Sequence, residues 1–307
     1  VIDTEAEKIR KAIDAIKKDR PEYSQVLDLF GKIVIKQSEF LHKVKVKRVA
    51  IAKDAARAKL KKGTPLLSRK DFPIDLSSAS QLFDEVSEIL KSGNPDASDD
   101  IEKIQNALEN GDLALEKIFQ SLLTDDGRIS ELAESLSLDR DTILALATIS
   151  VKPSLETVAS QVRDVVGGAL WSERYCPVCG SDPAISELRQ LASGSMEGAT
   201  IEGAERILYC SFCGTQWRTM RLGCVFCDNT DSESLGYFFT EEEKGYRIDV
   251  CEKCRKYIKT MDSRVISHDL VPLIEDFSTL HLDMIAEEEG FEREAWLMPY
   301  GMRPSGK

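Results

Sequence analysis

The sequence predicts an α+β chain: an N-terminal α-helical domain, two small metal-knuckle domains with four cysteines each, and a C-terminal helix. Three observations lead there. All eight cysteines lie between Trp171 and Lys259, and all fall in Cys-x-x-Cys pairs. The residues before them carry apolar side chains at helical spacing with no strand alternation. Short β-type runs then occur only among the cysteines. The expected boundaries are 1–170 for the helical domain, 171–222 for the first knuckle domain, and 223–307 for the second with its closing helix.

In chain order, Ile9, Ile13 and Ile16 mark one face of a first helix that Pro21 ends. Leu27, Ile33, Phe40 and Leu41 place a second helix that could run to about Ala50. Gly63, Pro65 and Pro73 make residues 62–78 a loop. Ser77 or Ser78 then caps a helix through Leu82, Phe83, Val86 and Ile89, stopped at Gly93–Pro95. Further helices are expected over 99–122, 129–136, 140–150 and 153–167, with a hinge at Gly167 and Gly168. Strands are expected at 206–209, 235–239 and 246–250. A helical pattern returns after Arg264, from Leu273 to Ile285 before Gly290.

The pairs are Cys176/Cys179, Cys210/Cys213, Cys224/Cys227 and Cys251/Cys254, separated by 30, 10 and 23 residues. Two residues between cysteines let both sulfurs of a pair face one tight turn and supply two corners of a tetrahedron. The 10-residue gap suits a connection between units, and the longer gaps suit strands within a unit. The expected sites are therefore Cys176, Cys179, Cys210 and Cys213, then Cys224, Cys227, Cys251 and Cys254; interleaved pairing is the alternative. Gly180 and Gly214 follow the knuckle cysteines of the first site, where a positive φ is needed, and Asp228 and Arg255 stand at the equivalent places of the second. Disulfides fit this spacing poorly, and no βαβ context supports thioredoxin-like chemistry. Four thiolates per ion leave no open coordination position for a hydrolytic water, so each site would hold one Zn or Fe ion in a structural or redox role.

Composition narrows the partners. With 41 basic against 53 acidic residues the chain carries a formal charge of −12, and 171–264 holds 12 basic against 15 acidic residues, which opposes nucleic-acid binding. No run of apolar residues is long enough to span a membrane, and Val1–Lys18 contains no signal-peptide core, so a cytoplasmic location is expected. Ile129–Leu144 has the outline of a helix-turn-helix, but its second helix is acidic and reads as core packing. The basic run from His42 to Lys70 is a solvated face or a dock for an acidic surface. His42, His268 and His281 have no ligand spacing. Trp217, Arg218 and Arg221 form a partner-contact patch, or Trp217 covers the core of its ribbon. No catalytic constellation is present at motif level, so no enzymatic activity is expected.

The runs Tyr175–Pro183 (YCPVCGSDP) and Leu208–Trp217 (LYCSFCGTQW), with Arg221 and Cys224–Cys227 (CVFC), closely resemble the formate dehydrogenase accessory protein (FdhE) family. Cys251–Lys259 (CEKCRKYIK) is similar to that family's last knuckle, and Asp283–Phe291 to its C-terminal helix. Thr64–Leu76 and Lys152–Leu155 match loosely. Gln216 stands where the family often has Glu, and Arg255 where Gly is common. The resemblance implies rubredoxin-like or zinc-ribbon knuckles, with iron as a candidate beside zinc. It also implies a cytoplasmic, non-catalytic assembly factor that binds the catalytic subunit of formate dehydrogenase before export. Two readings of other classes are a nucleic-acid-binding zinc ribbon and a rubredoxin-like electron carrier. Oligomeric state is not fixed by the sequence.

Overall fold

A computed structural model describes residues 2–167, 171–190, 204–240 and 245–297. Helices α1 (Ile2–Asp19), α2 (Ser24–Leu41), α3 (Lys53–Lys61), α4 (Leu76–Gly93), α5 (Pro95–Glu109), α6 (Leu115–Thr124), α7 (Arg128–Leu136), α8 (Arg140–Gln161) and α9 (Arg163–Gly167) come first. Strands β1 (Pro183–Gln190), β2 (Ala204–Cys210), β3 (Gln216–Thr219), β4 (Leu235–Phe238), β5 (Tyr246–Cys251) and β6 (Lys256–Asp262) follow, then α10 (Pro272–Phe277), α11 (Leu280–Glu288) and β7 (Glu292–Arg293). No helix among the described residues is long and apolar enough to cross a membrane.

The chain divides into two compact units. Of the described residues, one unit holds those up to Ala50 and Leu67–Gln161; the other holds Ile51–Leu66 and those from Val162 to Leu297. This differs from a boundary at residue 170, because α3 and the turn after it cluster with the cysteine-bearing residues.

The first unit is a helical bundle built around α8, whose buried residues face all round: Ile143, Ala145, Leu146, Ile149, Val151, Leu155 and Val158. A helix without a polar face belongs in the middle of a bundle. Leu27, Phe30 and Ile33 of α2 and Leu82, Phe83 and Val86 of α4 supply the surrounding core. Gly31 lets α1 approach α2, since a Cβ there would lie 2.5 Å from Ile13 Cδ1. Asp75 caps α4 by accepting from the Ser78 amide at 3.2 Å, so the cap sits two residues earlier than expected at the nearer serine.

Two helical expectations merge or split. Residues 140–161 form one helix although Pro153 lies inside it. Proline removes the amide that would bond the carbonyl four residues back; here that carbonyl, Ile149 O, accepts from Gln37 Nε2 of α2 at 2.9 Å. The expected helix over 99–122 is instead α5 and α6, separated at Gly111, which has φ +79°. The second helix stops at Leu41, and 44–52 is neither helix nor strand; the β-branched Val44, Val46 and Val49 disfavour a helical continuation. Gly168 of the expected hinge lies outside the described residues.

In the second unit all six longer strands belong to one sheet, ordered β3-β2-β1-β6-β5-β4, with β7 beside β6. Each knuckle's three strands are antiparallel, and a parallel β1–β6 pair joins the two sets. The two knuckles therefore share one sheet. A polar line crosses the seam: Ser186 and Thr260 hydroxyls meet at 2.6 Å, Thr260 Oγ1 donates to Asp249 at 2.6 Å, and Arg206 reaches Asp249 at 2.7 Å. The apolar core holds Ile185, Ile207, Ile248, Tyr257, Met261, Leu282 and Phe291. Beside it lies a buried ion cluster. Lys259 contacts Asp276 at 2.6 Å and Asp283 at 2.7 Å, while Arg293 contacts the same two at 2.9 and 3.2 Å. The cluster fastens β6, α10, α11 and β7 to one another.

Candidate metal centre

Each knuckle is a Cys-x-x-Cys turn closed by its own backbone. Cys176 N–H donates to Ser181 O at 2.9 Å, Cys210 N–H to Thr215 O at 2.9 Å, and Cys224 N–H to Asn229 O at 2.8 Å. Gly180 N–H returns to Cys176 O at 2.9 Å and Arg255 N–H to Cys251 O at 2.8 Å. The residue after each second cysteine holds the left-handed conformation: Gly180 at φ +80°, Gly214 at +69°, Asp228 at +56° and Arg255 at +58°.

The sulfurs gather in sequential groups, Cys176/Cys179/Cys210/Cys213 and Cys224/Cys227/Cys251/Cys254, with all four atoms of a group within 4.8 Å of one another. Cross-pair S···S distances are 3.6 and 3.4 Å in the first site and 3.7 and 3.7 Å in the second. A tetrahedron with metal–sulfur bonds of ~2.3 Å has edges of about 3.8 Å. Both clusters therefore fit one ion, and no pair is a disulfide.

Amides turned toward the sulfurs suit thiolate. Val178, Cys213 and Phe226 N–H groups lie 3.4 Å from Cys176, Cys210 and Cys224 Sγ, respectively. Burial pushes the Cys176, Cys210 and Cys224 thiols up. Contacts from the Cys176 and Cys210 sulfurs hold Cys179 well below the ordinary thiol range. Burial also opposes ionisation of Cys251, but hydrogen bonds led by the Cys254 amide and the Asn229 side chain bring it down to about 7. Four converging sulfurs with amides directed at them suit each cluster to receive a cation.

The sites differ in cover. In the first, Cys179 at 6% is the most exposed ligand; in the second, Cys224, Cys227 and Cys254 are half-buried. The 63–66 turn makes the difference. Leu66 N–H donates to Pro177 O at 2.9 Å, Tyr175 OH donates to Gly63 O at 2.6 Å, and Pro65 lies so close that a Cβ at Gly180 would be 3.1 Å from its Cγ.

Of the proposed contact residues, Trp217 is only 4% exposed, whereas Arg218 and Arg221 are exposed. Arg218 pairs with Glu205. Three residues absent from the sequence reading attend the sites. Asn229 Nδ2 lies 3.6 Å from Cys251 Sγ, Thr215 Oγ1 lies 3.1 Å from Cys213 Sγ, and Arg174 bridges to Asp228 at 3.1 Å. Asn229 and Thr215, each two positions beyond a knuckle's second cysteine, have a positional signal; Arg174 has none. The histidines join neither cluster, and His268 instead contacts buried Glu275 at 3.0 Å.

Known proteins resemble this chain. Residues 222–298 match the model of the FdhE C-terminal domain. An FdhE homolog from Aquifex aeolicus is 29% identical over 280 residues, covering 91% of this chain and 89% of that protein. The crystal structure of FdhE from Pseudomonas aeruginosa superposes with a TM-score of 0.64 at 18% identity, covering 96% of this chain and 95% of the other. The chain is similar to FdhE proteins over most of its length. A shorter match, 31% identical over 125 residues, is to an FdhE homolog of Cronobacter sakazakii and spans 37% of that protein. The family-model match includes the whole second site, and the Aquifex alignment extends the likeness over most of the chain.

Proposed function

We propose that this chain is a non-catalytic accessory factor that binds the catalytic subunit of formate dehydrogenase during maturation, before export. The observation that carries the reading is the pair of all-cysteine clusters set on a single sheet in a chain similar to FdhE over most of its length. The eight thiolates would hold two ions, Zn or Fe, one per site. Four protein sulfurs saturate a tetrahedral ion, so the donor set supports a cross-link among chain segments and not hydrolysis. In the first site that cross-link would join the turn before β1 to the turn after β2; in the second it would join the turn before β4 to the turn after β5. The sheet then becomes a rigid surface for the partner.

The test is co-purification of the chain with a formate dehydrogenase catalytic subunit. Cys176→Ser or Cys224→Ser should abolish the association; association that survives loss of all eight cysteines would sink the reading. Elemental analysis and a visible spectrum of anaerobically purified protein identify the metal, since ferric thiolate absorbs visible light and zinc thiolate does not. A cytoplasmic location follows from this role.

A further inference from the structure

The sheet has two free edges among the described residues, β3 and β4. An unpaired strand offers a row of amides and carbonyls, and proteins commonly blunt such edges with charge. The β3 edge does more than that. β3 ends at Thr219 and runs into a bend that exposes Arg221 between two apolar side chains: Met220 is 62% exposed and Leu222 is 80% exposed. Exposed apolar groups work against blunting, and a local cluster of them marks a contact site. Trp217 is turned inward and fixes the strand against Leu208 of β2, its cross-strand partner.

Charge identifies the occupant. Arg221 makes no ion pair among the described residues, and Arg218 has a single carboxylate partner. We infer that the β3 edge and the exposed residues 220–222 after it dock an extended segment of the partner protein that carries both acidic and apolar residues. Backbone pairing would come from strand addition, while Met220 and Leu222 meet apolar side chains and Arg218 and Arg221 meet carboxylates. A second copy of the chain fits poorly, because two-fold pairing of this edge with itself sets arginine against arginine.

This inference rests on the proposed function, with the segment belonging to the catalytic subunit. The experiment is a titration of the full-length, metal-loaded chain against purified catalytic subunit. It compares wild type with M220S/L222S, with R218E/R221E, and with Y237S/F239S at the other edge, and metal content is measured for each. Wild type should bind, and both β3-edge variants should bind about tenfold more weakly or worse with two ions retained. The β4-edge variant should bind as wild type does. Hydrogen exchange on the wild-type complex should show slowed amides over 217–222, a readout independent of how any variant folds. Wild-type binding with unchanged β3-edge variants and no slowing at 217–222 overturns this inference alone. Absence of wild-type binding overturns the proposed function and this inference with it. A concentration-dependent dimer that the β3-edge changes abolish assigns the edge to a second copy and overturns it too.

Discussion

Asp228 and Arg255 hold backbone angles that Gly180 and Gly214 hold in the other site, at the cost a side chain pays in the left-handed region. Their contacts offset that cost. Asp228 pairs with Arg174, while Arg255 stacks over Phe291 at 3.9 Å and donates to Glu289 O at 2.6 Å. The second site is thus tied down by charged side chains at its rim, and the first by the 63–66 turn lying over it. A reagent in solution reaches half-buried sulfurs before buried ones. Titrating the metal-loaded chain with an organomercurial should release two ions in separate phases, the faster from the second site, and Cys224→Ser should remove the faster phase alone. Loss of the slower phase instead would refute the ordering. Lys259 makes a second case. It is 2% exposed between two buried carboxylates, so Lys259→Met leaves Asp276 and Asp283 with Arg293 as their one cation among the described residues. Breaking a buried pair costs about 3–5 kcal/mol. Urea unfolding followed at the sheet should show a loss of that size, and a loss below about 1 kcal/mol would mean that the cluster relaxes to water.

Gln37 and Pro153 form a unit at the scale of the element. The proline removes one helical hydrogen bond from α8, and a side chain from α2 supplies the missing donor to Ile149 O. Gln37→Ala should destabilise by about 1–3 kcal/mol, the cost of a buried carbonyl left unpaired. Pro153→Ala in that background should recover most of it, because the restored amide bonds the same oxygen. Additive effects in the double-mutant cycle would rule the coupling out. The same pair shows why the elements were legible only in part. Pro153 reads locally as a break between helices, and the compensating Gln37 is 116 positions away in sequence. Strand β1 was unreadable for a related reason: Pro183 to Leu188 are all buried, so no alternation marks them. The knuckles were legible because Cys-x-x-Cys encodes a turn within a few residues. The cover that Pro65 and Leu66 give the first site is a long-range contact, and only the structure reveals it.

At the scale of the molecule, the cysteines are confined to one of the two compact units. The helical unit has its own core of Leu27, Phe30, Leu82, Phe83, Leu146 and Leu155 and needs no ion to form it. The sheet unit is different. Four of its turns are closed by sulfur clusters, and the parallel β1–β6 pair makes each knuckle a support for the other. Bound structural zinc contributes apparently ~10–16 kcal/mol in small fingers, while a whole domain is stable by only about 5–15 kcal/mol. Loss of both ions should therefore exceed what the apolar core around Tyr257 and Ile248 can carry. Removing the metals with an organomercurial and chelator should abolish slow hydrogen exchange throughout β1, β2, β5 and β6. The amides of α2, α4 and α8 should stay protected, and most of the helical circular dichroism should remain. Because the seam joins the knuckles, Cys176→Ser alone should also raise exchange in β5 and β6, beyond the site it damages. Retained protection in β5 and β6 would mean that the knuckles fold independently despite sharing a sheet, and loss of protection in α4 and α8 would mean that the bundle depends on the metals as well.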